Sequence, residues 1–211
     1  MPVRRVVTKS RKRVVGYFAS AKNDALIPWE SQIERDYFRL LEADPKVSSF
    51  RAQPERLHYV LEGRRRTYVP DVEVRTADRV YIDEVKTDAD AEDAENRTLF
   101  EQFAGIYAGR GYAYRVVVES VIRRQPRLAN AEKLLKYRRH RPPADLQWRL
   151  ERVFAGGSGF PLGRAVIEAE RHGDGLPGIA VLLLRGVLTL DIDRPLGVGT
   201  ELQFSRRDAD A

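Results

Sequence analysis

Apolar and polar residues along the 211-residue chain fall into blocks whose periods define its elements. From Ser31 to Glu42, the residues Ile33, Tyr37, Phe38, Leu40 and Leu41 recur at helical spacing, which predicts a helix over 29–43. The Asp44-Pro45 step ends it, because a proline disfavours the αR conformation of the residue before it. Leu57, Tyr59 and Leu61 then alternate, Glu62-Gly63 makes a turn, and Thr67–Arg75 continues with Tyr68, Val69, Val72 and Val74, which together read as a β-hairpin. Val80–Val85 is a β-branched run and a third strand. Ala91–Tyr107 carries Leu99, Phe100, Phe103 and Ile106 on one helical face, with acids at the end where the helix dipole favours them. Gly109-Arg110-Gly111 stops that helix, and Tyr112–Glu119 alternates as a strand through Tyr114, Val116 and Val118. The order helix, three strands, helix, strand predicts a mixed α/β layer in which the long helix crosses between strands of one sheet.

The pattern changes at Pro142-Pro143. Beyond it Leu146, Leu150, Val153 and Phe154 share a helical face. Gly156-Gly157-Ser158-Gly159 turns, a short helix covers 162–170, and an apolar segment Ile179–Leu184 precedes strand-like pieces at 187–192 and 200–204. Three helices and a terminal ribbon predict a small winged-helix-like domain over 142–211, leaving 1–141 as the first domain. In that class of fold the third helix, near 175–185, is expected to enter a groove of DNA. With a single cation, that segment suits a protein contact at least as well.

Composition narrows the chemistry. Cysteine is absent, which excludes disulfides, thiol nucleophiles and thiolate metal sites, and the histidines are His58, His140 and His172. Apolar runs are too short for a membrane span and no secretory h-region follows the basic start, so the expected location is cytoplasmic. The net charge of +6 is modest, and its layout says more than its sum. Arg4, Arg5, Lys9, Arg11, Lys12 and Arg13 form one basic segment and the run 133–141, with Lys136, Arg138, Arg139 and Arg141, another; both are candidate phosphate contacts. Acids concentrate between Asp83 and Glu95. The glycine-rich turn lacks the Lys-Ser/Thr of a phosphate-binding loop, and Trp29 and Trp148 suit core or cap positions.

The chemistry-bearing constellation is Tyr68-Val69-Pro70-Asp71, followed thirteen residues after the aspartate by Glu84-Val85-Lys86. Side chains alternate along a strand, so Glu84 and Lys86 point the same way while Val85 packs into the opposite face. An aspartate from the neighbouring strand can join them. Asp71 and Glu84, with the Val85 backbone carbonyl between, supply hard oxygen ligands suited to Mg²⁺. Lys86 beside them can position a water or stabilise charge on a phosphoryl group. Glu30 and Glu34, one turn apart, offer a further carboxylate. This donor set suits hydrolysis of a phosphodiester.

The same residues resemble a known family. Gly16-Tyr17-Phe18-Ala19-Ser20-Ala21-Lys22, Trp29-Glu30-Ser31-Gln32-Ile33-Glu34, Leu41-Glu42-Ala43-Asp44-Pro45-Lys46-Val47, Gln53-Pro54, Tyr68-Val69-Pro70-Asp71 and Glu84-Val85-Lys86 together resemble the catalytic domain of TnsA-type transposon endonucleases, in the PD-(D/E)xK nuclease superfamily. The resemblance covers residues 3–120 and, loosely, 142–211. It implies a restriction-endonuclease-like mixed sheet flanked by helices and dependence on Mg²⁺, with Mn²⁺ substituting. It also implies strand cleavage leaving a 3′-hydroxyl and a 5′-phosphate. It places Glu34, Asp71 and Glu84 at the metal, Lys86 as the catalytic lysine, Gln53 and Glu30 in support, and Ser20 and Lys22 along the DNA path. The implied partners are double-stranded DNA, a DDE-type transposase and an ATPase regulator, in a prokaryotic nucleoid. A stand-alone restriction, repair or phage nuclease, and a DNA-binding assembly protein without turnover, are the alternatives.

Overall fold

A computed structural model describes residues 14–154 and 159–205. The chain forms two compact units, the first of residues up to Glu42 and Lys46–Arg124, the second of Ala43–Pro45 and Gln125 onward.

In chain order the first unit contains β1 (Gly16–Ser20), β2 (Ala25–Trp29), α1 (Gln32–Ala43), β3 (Val47–Ala52), β4 (Leu57–Leu61), β5 (Arg64–Tyr68), β6 (Val72–Thr76), β7 (Val80–Lys86), α2 (Asp88–Glu92), α3 (Ala94–Ala108), β8 (Ala113–Val118) and α4 (Glu119–Ile122). Strands β3, β6, β7 and β8 make one mixed sheet in that order, antiparallel except for the parallel β7–β8 pair. A parallel pair needs a crossover, and α2 and α3 supply it. Val47, Phe50, Val72, Val74 and Val85 form one core with Phe38 and Leu41 of α1, while Leu57, Ile82, Phe103 and Tyr107 form a second core that includes α3. The architecture is therefore a mixed sheet flanked by helices.

Several sequence expectations change here. The strand read over Thr67–Arg75 is two strands, because Pro70 has no N–H to give a ladder: β5 pairs only with β4 as a separate ribbon, and β6 enters the main sheet. The hairpin β1–β2 and strand β3 are additional. Strand β3 escapes a period-two reading because its register shifts between Val47 and Ser49, so the buried residues Val47, Phe50 and Ala52 do not alternate. The hairpin hides because Tyr17 and Leu26 are exposed apolar residues. The helix read over 91–107 starts at Ala94, with the Asp93 carboxylate accepting from Asn96 N (2.9 Å), and Thr87 caps α2 by accepting from Asp90 N (3.1 Å).

The second unit holds α5 (Arg127–Leu135), α6 (Leu146–Phe154), β9 (Phe160–Pro161), α7 (Leu162–Glu170), α8 (Leu176–Leu184), β10 (Leu188–Thr189) and β11 (Glu201–Phe204), with the strands ordered β10-β11-β9. Its boundary lies at Arg124/Gln125, earlier than the break read at Pro142, because α5 belongs to this core. Leu134 packs in it, buried Asn130 donates through Nδ2 to the carbonyls of Ile192 (2.9 Å) and Arg194 (2.7 Å), and Arg127 pairs with Asp193. The expectation that the third helix enters a groove is not met. In α8 the six residues Gly178–Leu183 are all buried, so this helix is the centre of the unit's core and presents no reading face. No helix among the described residues is long and apolar enough to cross a membrane.

Candidate functional site

The site lies where β6 begins beside the end of β7. The register Val72↔Asp83, continued by one residue, sets Asp71 opposite Glu84. Asp71 Oδ2 accepts from Val85 N at 2.8 Å, which fixes its carboxylate against the β7 backbone. Alternation then puts Glu84 and Lys86 on one face and Asp83 and Val85 on the other. The Lys86 ammonium donates to Glu84 Oε1 in a short hydrogen bond and lies 3.9 Å from Asp71 Oδ2. The second oxygen of Glu84, Oε2, accepts a short hydrogen bond from the Tyr68 hydroxyl, which lies 3.2 Å from that of Tyr114. Tyr68 itself is stacked on Phe103, with ring centroids 3.8 Å apart. Glu84 is thus held from both sides.

Glu34 joins the cluster from the first turn of α1. Its Oε2 accepts from Glu30 N and its Oε1 from the Ser31 hydroxyl, both at 3.0 Å, while Ser31 Oγ accepts from Glu34 N at 3.1 Å. This is a variant of the capping box, so Glu34 also has a structural task at the helix start. Glu30 contributes its backbone N–H to that cap. Gln53 adopts φ +47°, its N–H donates to the carbonyl of Asp71 (2.8 Å), and its buried Oε1 has no hydrogen-bond partner among the described residues. It therefore braces the backbone at Asp71, as a supporting residue would.

The electrostatics follow from three carboxylates meeting one ammonium. Burial, then the charges of Glu84 and Glu34, push the Asp71 carboxyl well above the usual carboxylate range, with Lys86 opposing. Burial likewise raises Glu34, and Lys86 draws it partly back. For Lys86 burial works against the charge, but Glu84 and Asp71 outweigh it and hold the ammonium above its ordinary range. Burial and the neighbouring Glu84 carboxylate keep Tyr68 and Tyr114 protonated far beyond neutral pH, so Tyr68 is a permanent donor to Glu84.

No group of three or more His, Asp or Glu among the described residues is gathered closely enough to form a ligand set unaided. The donor chemistry nevertheless suits a divalent cation. When ionised, Asp71, Glu84 and Glu34 set three negative charges against the one positive charge of Lys86, and their mutual repulsion is the load a hard dication would relieve. Each oxygen of Glu84 already accepts one hydrogen bond, from Lys86 at Oε1 and from Tyr68 at Oε2, and each keeps a further lone pair that could ligate a cation.

Other expected residues have different fates. Asp83, counted among the acids of the 83–95 segment, faces away from the site. It is fully buried, paired bidentately with Arg115 of β8 (2.7 Å to each oxygen), and accepts from the Tyr37 hydroxyl at 2.5 Å. Asp88 accepts from Ser120 and Asp93 caps α3, while Glu84 sits in the cluster and Asp90 adds to the negative field at Lys86. Ser20, expected along a DNA path, is buried and donates to Glu42 Oε2 (2.7 Å). Lys22 donates to the carbonyls of Leu41 (3.0 Å) and Val47 (2.7 Å), so both side chains fasten the β1–β2 turn to the end of α1. Lys136, Arg139 and Arg141 are exposed in the second unit, whereas Arg138 turns back onto the carbonyl of Leu135. Arg4, Arg5, Lys9, Arg11, Lys12 and Arg13 lie outside the described residues. His140 Nε2 lies 3.0 Å from the Asp174 carboxylate, and Trp29 is buried while Trp148 is exposed. The hydroxyl of Tyr68 is the site contact that sequence reasoning missed; its position three residues before Asp71 was the available signal.

No protein-family profile matches the chain, and a search of curated proteins returns no significant relative.

Proposed function

We propose that the protein is a Mg²⁺-dependent endonuclease that hydrolyses phosphodiester bonds in DNA. The observation that carries this reading is the Lys86 ammonium lodged between Glu84 Oε1 and Asp71 Oδ2, with half-buried Glu34 in electrostatic reach. The order α1, β3, β6, β7, α3, β8 around one mixed sheet supports the restriction-endonuclease-like fold that the sequence motifs imply. The helices and ribbon of the second unit support a winged-helix-like class for it, although buried α8 would not be its DNA-reading element.

In this reading Asp71, Glu84 and the Val85 carbonyl would hold the ion, with Glu34 assisting from α1. When bound, Mg²⁺ or Mn²⁺ supplies Lewis acidity toward a phosphate oxygen and acidifies a water. Lys86, two residues from Glu84 on the same strand face, would place a proton donor and positive charge beside the attacked phosphate. Tyr68 fixes Glu84 so that one oxygen stays oriented, and Val85 N does the same for Asp71. The motif resemblance extends the proposal to a TnsA-like subunit that cuts one strand at transposon ends, beside a DDE-type transposase and an ATPase regulator in the prokaryotic cytoplasm.

A plasmid-nicking assay with Mg²⁺ or Mn²⁺ tests the chemistry. Nicks carrying a 3′-hydroxyl and a 5′-phosphate are expected from the wild type, and none from Asp71→Ala or Lys86→Ala. Metal-dependent nicking that survives both substitutions overturns the assignment.

A further inference from the structure

The β4–β5 ribbon carries charge that the carboxylate site does not use. Its register, Leu57↔Tyr68, Tyr59↔Arg66 and Leu61↔Arg64, places these six residues on one face. Tyr68 and Tyr59 of that face pack on Phe103 of α3, at centroid distances of 3.8 and 5.1 Å, and Gln102 Nε2 donates to the carbonyl of Val60 at 3.2 Å. At the tip Glu62 and Gly63 both have positive φ, +49° and +73°, as a type I′ hairpin turn requires. The ribbon is therefore anchored at its base and closed by a tight turn.

Along it run Arg64, Arg65 and Arg66, all exposed, with no carboxylate paired to any of them among the described residues. Seven other arginines of this unit do have carboxylate partners. Arg35, Arg39 and Arg123 share Asp36; Arg51 and Arg75 share Glu73; Arg110 has Glu55 and Arg115 has Asp83. From Arg56 to Tyr68 four arginines stand against one acid, Glu62. Three adjacent cations repel one another, and no carboxylate among the described residues pairs with them, which fits an anionic partner from outside.

We propose that the β4–β5 ribbon grips the phosphate backbone of double-stranded DNA immediately beside the carboxylate site. The choice of DNA rests on the nuclease reading above; the ribbon's geometry specifies the form. Alternation sends Arg65 to the face opposite Arg64 and Arg66, so guanidinium groups stand on both sides of the ribbon, as contacts to both walls of a groove require. A two-stranded ribbon fits the major groove of B-form DNA, about 12 Å wide, whereas the narrow major groove of A-form RNA excludes it. The strand leads into the site, since Tyr68 at its end donates to Glu84. At about 3.4 Å per residue, Arg66 and Arg64 lie roughly 7 and 14 Å back from Tyr68 along the strand, a span of roughly two to four nucleotide rises.

The test is fluorescence polarisation of a labelled random-sequence duplex in EDTA, so that neither metal nor cleavage enters, using the full chain across a salt series. The triple variant Arg64→Gln, Arg65→Gln, Arg66→Gln is expected to bind at least roughly tenfold more weakly and to flatten the slope of log affinity against log salt by about 2.7, at about 0.9 per lost phosphate contact. The corresponding triple lysine variant is expected to retain most of both. Unchanged thermal unfolding of the glutamine variant shows that the fold is intact. Wild-type affinity and slope in that variant overturn the proposal. Displacement by double-stranded RNA or poly-glutamate at lower concentration than by unlabelled duplex also overturns it, assigning the ribbon to RNA or to an acidic protein. Failure of the nuclease reading is distinguishable: DNA binding that depends on the ribbon, with no Mn²⁺ binding that depends on Asp71, leaves the ribbon proposal standing alone.

Discussion

Lys86→Met keeps the four-atom stem of the side chain and removes the ammonium that meets Glu84 and Asp71. Removing one partner of a buried ion pair costs about 3–5 kcal/mol, because the other charge stays buried without compensation. Glu84 is only 7% exposed at its side chain, but Lys86 keeps 26% and Asp71 23%, so water softens the loss and the lower end, about 3 kcal/mol at neutral pH, applies. For a chain of this size, at about 2–4 °C per kcal/mol, the unfolding midpoint should fall by about 6–12 °C. The sign of the pH dependence follows from Asp71 and Glu34, whose carboxyls are raised in the folded state. The folded protein then binds protons more tightly than the unfolded one, so stability falls as pH climbs from the ordinary carboxylate range toward the raised values. Without Lys86, which lowers both groups, that penalty grows. Wild type and variant should therefore melt at similar temperatures near about pH 4, where carboxylates protonate, and diverge toward neutrality. Divalent cation should restore the variant, since a ligand at a hundred times its dissociation constant adds about 2.7 kcal/mol. Differential scanning fluorimetry at several pH values, with and without Mn²⁺, measures all of this. A variant as stable as the wild type at neutral pH, or a deficit indifferent to both pH and Mn²⁺, refutes the reasoning.

Three further outcomes are expected. Glu34→Ala should cost about 1 kcal/mol through loss of the α1 cap, whereas Glu34→Gln should keep most of that stability yet weaken Mn²⁺ binding; wild-type Mn²⁺ binding in Glu34→Gln would assign Glu34 to the cap alone. Arg115→Leu strands fully buried Asp83 with only the Tyr37 hydroxyl, and chemical denaturation should register about 3 kcal/mol of lost stability, against no change if the pair is dispensable. Tyr68→Phe leaves the stack on Phe103 and deletes one hydrogen bond to a carboxylate, about 1.5–3 kcal/mol in denaturant titration, and nicking should slow without being abolished.

The part of the site carried by short-range periodicity was legible from the chain. Alternation alone aligns Glu84 with Lys86, and the strand order aligns Asp71 with them. The capping role of Glu34 was also written locally, in Ser31-x-x-Glu34. What escaped depends on long-range pairing. Nothing near Asp83 announces Arg115, thirty-two residues later, as its partner, so a buried structural ion pair read as one more acid of the 83–95 concentration. Ser20 and Lys22 read as surface polar residues because Glu42 and the carbonyls of Leu41 and Val47 meet them only in the folded chain. Helix α5 joined the wrong domain because Pro142-Pro143 is a strong local break, whereas the bonds of Asn130 to Ile192 and Arg194 cross more than sixty residues. The arginines of β5 were passed over because that segment was read for its apolar positions.

In the proposed function turnover would require DNA and partners, whereas occupancy of the carboxylate cluster would require only the ion. Calorimetric titration of Mn²⁺ into the full chain, into Asp71→Ala and into Asp93→Ala, a helix cap remote in role from the cluster, therefore addresses the site itself. Binding by the wild type and by Asp93→Ala, lost in Asp71→Ala, is the expected result. Equal binding in all three proteins, or none in the wild type, contradicts the assignment of Asp71, Glu84 and Glu34 as a cation site.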